Sequence, residues 1–112
     1  MKKVCFFLLL LFTGIITFGQ TTYTWNQAGG TADWLLSTNW TPTRTVPATN
    51  DIIVFDNGLT NTVINVPQQT IGQLILSNNT TVNLQSGAFN NTFTIGGGTG
   101  TDLSVANGSA LN

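Results

Sequence analysis

Val63-Ile64-Asn65-Val66, Leu74-Ile75-Leu76, Val82-Asn83-Leu84, Phe93-Thr94-Ile95 and Leu103-Ser104-Val105 are five copies of one short, apolar-rich strand pattern. They recur about every ten residues, with Ala110-Leu111-Asn112 as the opening of a sixth. A fixed short period of this kind signals a stacked or repetitive β architecture. Turns or polar connections separate the copies at Asn57-Gly58, Asn78-Asn79, Ser86-Gly87, Asn90-Asn91, Gly96-Gly97-Gly98 and Asn107-Gly108. Two arrangements fit. In a meander leading to an antiparallel β-sandwich, neighbouring strands pair through these turns. In a parallel β-solenoid, or β-helix, the strands are faces of successive coils. Very short strands, recurrent Asn and Thr able to stack in ladders, and a pattern still running at Asn112 favour the solenoid. The expected fold is all-β: the start of a parallel β-solenoid, with coils over 57–112 that are cut short at the C-terminus.

Upstream of the ladder, Asp51-Ile52-Ile53-Val54-Phe55-Asp56 is the strongest single strand. Before it, composition changes. All three tryptophans, the only tyrosine and Arg44 fall between Tyr23 and Val46. Tyr23-Thr24-Trp25 reads as a strand and Gly29-Gly30 as a turn, while Pro42 and Pro47 bracket an irregular stretch. The first coil of a solenoid exposes core side chains and unpaired backbone, so it needs a cap. Segment 20–56 is expected to be that cap. Trp25, Trp34 and Trp40 would each bury about 150–250 Å² over the open end.

Residues 1–19 read as a secretory signal peptide: Lys2-Lys3, an apolar run from Val4 to Phe12, and small residues before Gln20. The chain beyond it has no Cys, Lys, Glu or His; Arg44 stands against Asp33, Asp51, Asp56 and Asp102, a net charge of −3. One arginine cannot displace counterions from phosphate, which argues against nucleic acid, and the same deficit argues against anionic membranes. Disulfides are excluded. Thr, Asn and Gly are abundant, and no apolar spacing supports a helix after Gln20.

Trp25-Asn26, Trp34, Asn39-Trp40, Pro47 and Asp51 with its run to Phe55 make a recognisable layout. Repeats of the type Ile71-Gly72-Gln73-Leu74-Ile75-Leu76 and Gly108-Ser109-Ala110-Leu111 follow it. The layout resembles the N-terminal part of large secreted bacterial β-helix proteins. These include autotransporter-associated β-strand repeat proteins and the surface proteins that Bacteroidetes-type bacteria export through a C-terminal sorting domain. The resemblance implies a secreted or cell-surface β-helix and says little about activity.

The chemistry available is narrow. Without His, Cys, Lys or Glu after the signal, no triad or Schiff base can be assembled within this chain. Asp51 and Asp56 flank one strand five apart and so face opposite ways, which suits strand ends better than a glycosidase pair. Asp33, beside Trp34, reads as a turn residue that could also orient a sugar. Gly97-Gly98-Thr99-Gly100-Thr101-Asp102 matches the opening of a calcium β-roll repeat, but Ser104 takes the place of its large apolar residue, so Asp102 is a weak calcium candidate. Tyr23, Trp25, Trp34 and Trp40 have two readings: core or cap, and a carbohydrate-stacking platform. No cofactor is expected. The expected function is a non-catalytic structural or adhesive module, with polysaccharide or other cell-surface components and the rest of a longer chain as partners. The alternatives are a carbohydrate-binding module and the N-terminal part of a β-helix polysaccharide-degrading enzyme.

Overall fold

A computed structural model describes residues 19–112; the expected signal peptide lies outside them apart from Gly19. The strands are β1 (Thr22–Trp25), β2 (Gly30–Asp33), β3 (Trp40–Thr41), β4 (Ile52–Phe55), β5 (Thr60–Val66), β6 (Gln69–Ile71), β7 (Gln73–Leu76), β8 (Thr81–Ser86), β9 (Phe93–Ile95), β10 (Leu103–Val105) and β11 (Ala110–Leu111). A 3-10 turn at Ser37–Asn39 is the one helical element among the described residues. None of them forms a helix long and apolar enough to cross a membrane.

The protein is all-β, and its sheets are parallel with one exception. Strands pair with partners three places away in chain order. One sheet runs β10-β7-β4-β1, parallel throughout, with β3 added antiparallel on the outer side of β1. A second runs β11-β8-β5-β2, and a third joins β6 to β9; both are parallel. Consecutive strands do not pair with one another among the described residues. The change in composition at Asp56 falls inside these sheets, because β4 pairs with β7 and β2 with β5 across it.

In-register parallel pairing stacks like on like. Tyr23, Ile53, Leu74 and Leu103 are successive register partners down the first sheet, and Phe55, Leu76 and Val105 make a second column. The two-residue period of a strand turns Ile53 and Phe55 into the core while Ile52 and Val54 stay half-exposed. Ile71, Val63 and Val82 complete the fully buried centre from the other two sheets. Polar residues stack on the outer faces: Thr31, Thr62 and Asn83 are register partners, as are Thr70 and Thr94. The Asn112 amide donates to Asn83 Oδ1 at 2.9 Å and extends the first of these ladders.

The abundance of Asn has a backbone reason. Asn65, Asn78, Asn79 and Asn90 hold φ between 58° and 61°, in the left-handed region that Asn tolerates better than most residues. The turns bond to one another across levels. Asn78 Nδ2 donates to the Asp56 carbonyl at 2.9 Å, Gly58 N to Thr80 Oγ1 at 2.9 Å, and Thr80 N to Ser109 Oγ at 3.1 Å. Asn61 is a fully buried amide inside β5. Its Nδ2 donates to Asn57 Oδ1 and the Leu59 carbonyl, and its Oδ1 accepts from Asn57 Nδ2. Those partners are what make a buried amide tolerable. Gly72 alone connects β6 to β7. A Cβ there would lie 2.7 Å from the Asn50 carbonyl oxygen, so this corner needs glycine for close backbone approach.

Candidate functional site

Tyr23 and Trp25 project inward from β1 by strand alternation. Trp40 opens β3 and faces Trp25 across the antiparallel pair. Trp34 directly follows β2, and its amide donates to the Ile64 carbonyl at 2.9 Å. The rings meet edge to face: Trp25 and Trp40 at 4.8 Å between centroids, Trp34 and Trp40 at 4.9 Å, Trp34 and Phe93 at 5.4 Å. Trp40 Nε1 donates to the Trp34 carbonyl at 3.0 Å and ties the two segments together. Edge-to-face pairs of this kind add about 0.5–1.5 kcal/mol each beyond their burial.

The structure thus brings all four predicted aromatic residues into one cluster and buries them. The three tryptophans are 2% exposed and Tyr23 is 9% exposed. Rings at that depth present no face to solvent on which a sugar could stack.

Arg44 is the residue that sequence reasoning missed. Its side chain is buried at the centre of the cluster, with Cζ 5.6 Å from the Tyr23 and Trp34 ring centroids and 5.8 Å from that of Trp40. Guanidinium groups are attracted to aromatic faces at such distances. Asp51, the residue directly before β4, meets it. Arg44 Nε and Nη2 donate to Asp51 Oδ2 at 3.0 and 2.8 Å, and the Ala48 amide donates to the same oxygen at 3.0 Å. Both side chains are 2% exposed. The pair therefore cross-links the irregular segment between β3 and β4 to the first sheet. The available signal was a lone cation in a charge-poor chain, seven residues before an aspartate and preceded by every tryptophan. A charge that must be buried needs such a partner.

The other carboxylates stand apart from this pair. Asp33 Oδ1 accepts from the Leu35 amide at 2.8 Å and its Oδ2 from Asn65 Nδ2 at 2.7 Å, the bonds of a turn residue braced against the next level. Asp56 and Asp102 are exposed. No group of three His, Cys, Asp or Glu gathers among the described residues, at Asp102 or elsewhere.

No protein-family model, curated protein or solved structure matches the chain.

Proposed function

We propose that this chain is the Trp-capped opening of a parallel β-solenoid. In this reading it serves as a non-catalytic structural or adhesive module of a secreted or cell-surface bacterial protein, like the β-helix surface proteins it resembles. The carrying observation is the parallel pairing of strands three apart, with one register shift between Val63 and Val66, beside one aromatic cluster. Each added level then extends the same core columns and outer polar ladders, which is how a stalk is lengthened. The leader-like residues 1–19 support export. Burial of the four aromatic residues supports their role as a cap and weakens the stacking-platform reading.

Engineered disulfides test the architecture in a chain whose one cysteine, Cys5, lies in the leader. Val54 and Ile75 are register partners in adjacent parallel strands. Neighbouring strands are about 4.8 Å apart, within disulfide reach. The double variant Val54→Cys, Ile75→Cys is expected to oxidise to an intramolecular bond. The pairing of Val54→Cys with Leu84→Cys, on different sheets, is expected not to. The reverse pattern would rule out the stacked reading. Surface labelling of the tagged chain in its bacterium, with sequencing of the mature N-terminus, tests export. Retention in the cytoplasm with Met1 intact would end that part of the proposal.

A further inference from the structure

Arg44 closes the cap on one side and faces an open pocket of about 340 Å³ on the other. Ser37, Thr45 and Gln69 line its polar wall, and Leu35, Pro47 and Pro67 form an apolar rim. Its volume lies in the range of sites for small ligands, about 300–1,000 Å³.

Donors without acceptors gather here. Arg44 directs Nε and Nη2 to Asp51, with Nη2 also 3.5 Å from Gln69 Oε1, so its Nη1 edge has no protein acceptor among the described residues. Trp34 Nε1 and Gln69 Nε2 are buried and lack an acceptor, and both residues line the pocket. A buried donor without an acceptor is unfavourable, and an incoming oxygen that accepts from it relieves that cost. Gln69 as a whole is half-buried and lines the pocket, so its amide lies at the pocket's edge.

Charge then selects the ligand. Asp51 already cancels Arg44, so a carboxylate entering the pocket would leave a net negative cluster against a low-dielectric wall. Neutral oxygens accept the same donors without that penalty. The hydroxyls of Ser37 and Thr45 both donate and accept. Leu35, 62% exposed, and the two prolines offer C–H surface beside them. Neutral hydroxyls arranged around an apolar C–H face describe a pyranose ring.

We propose that this pocket binds one sugar residue of a neutral glycan. The site differs from a platform of stacked tryptophans, because the ligand meets the outer edge of the arginine and the Gln69 amide. The proposal goes beyond the structural role above and stands on the pocket alone. Failure of the cross-linking test would leave it intact, and its own failure would leave the stacked architecture intact.

Titration of the full chain with cellohexaose, xylohexaose, mannohexaose and chitohexaose, read by the indole N–H resonance of Trp34, tests it. At least one is expected to bind with Kd of about 1 mM or tighter. Gln69→Leu, which keeps the size and removes the donor, is expected to weaken that binding about five- to tenfold. Phe89→Ala, on the exposed β8–β9 loop, is expected to leave it unchanged. Tri-galacturonate and a peptide ending in a free carboxylate serve as the anionic probes. Three results would each overturn the proposal: no shift of the Trp34 resonance with any neutral oligosaccharide up to about 10 mM, tighter binding of either anionic probe, or full affinity in a folded Gln69→Leu variant.

Discussion

The two ends of the same core columns are finished differently. At one end stand Tyr23 and Trp25, 9% and 2% exposed; at the other stand Leu103 and Val105, 46% and 42% exposed. The strands that carry them have the same geometry and are linked by the same parallel register through β4 and β7. What differs is the layer laid over them. β3 with Trp40 lies on the outer side of β1, and Arg44 lies against Tyr23, whereas β10 is an edge strand. In stacked architectures each level is stabilised by its neighbours. Stability is therefore expected to be greatest beside the aromatic cluster and to fall toward β10.

The sharpest way to break this contrast is to remove one partner of the buried ion pair. Asp51→Asn or Arg44→Met strands a charge in the aromatic cluster and is expected to cost about 3–5 kcal/mol, which is much of the stability of a small domain. Asp102→Asn, at an exposed carboxylate on the far side, is expected to stay within about 0.5 kcal/mol. Urea unfolding followed by tryptophan fluorescence measures both. The double variant should cost less than the sum of the singles, because it leaves no orphaned charge. Equal midpoints for Asp51→Asn and Asp102→Asn would mean that the pair does not hold the aromatic cluster together.

A matched truncation compares two levels of one column. Leu74 and Leu103 are the same residue type and direct register partners, at 0% and 46% exposure. Leu74→Ala opens a cavity in a closed core and is expected to cost about 2–5 kcal/mol. Leu103→Ala removes contacts from a side chain already half in water, and about 1 kcal/mol or less is expected. Thermal unfolding of the two variants gives the ratio. Similar losses would show that β10 is as well covered as β7.

The strands were legible where β-branched or aromatic residues alternate. The readings at Phe93-Thr94-Ile95 and Leu103-Ser104-Val105 coincide with β9 and β10, and those around Val63, Leu74 and Val82 fall within β5, β7 and β8. β2 was hidden because Gly30-Thr31-Ala32-Asp33 lacks large apolar residues, and Gly29-Gly30 looks like a turn on its own. β6 was hidden because Gln69-Thr70-Ile71 carries one inward residue and meets β7 through Gly72 alone. Partner choice was not legible, since a spacing of about ten residues suits hairpins and stacked coils equally. The aromatic segment could be located but not its centre. Arg44 read only as a lone cation and Asp51 as a strand end, because sequence gives no measure of burial for a pair formed through a loop.

The edge at β10 and β11 predicts a smaller effect on stability and a large one on association. An edge strand presents a row of unpaired N–H and C=O groups that can add a further strand, and apolar side chains beside it strengthen the template. Val105 lies on β10 at 42% exposure, and Leu103 lies beside it at 46%. At the other end of this sheet the edge is the two-residue antiparallel β3, which occupies the outer side of β1 and offers a shorter template. Association through the open β10 edge is therefore expected to give dimers in which two β10 edges meet. Val105→Lys places a charge on that edge at a position already half in water. Its folding free energy is expected to move by about 0.5 kcal/mol or less, while the dimer fraction in sedimentation experiments falls to monomer. The same substitution at Thr41, on the capped side, should leave association unchanged. If Val105→Lys sediments like the parent chain and Thr41→Lys does not, the sticky surface is at the cap, and the contrast between the two ends runs the other way.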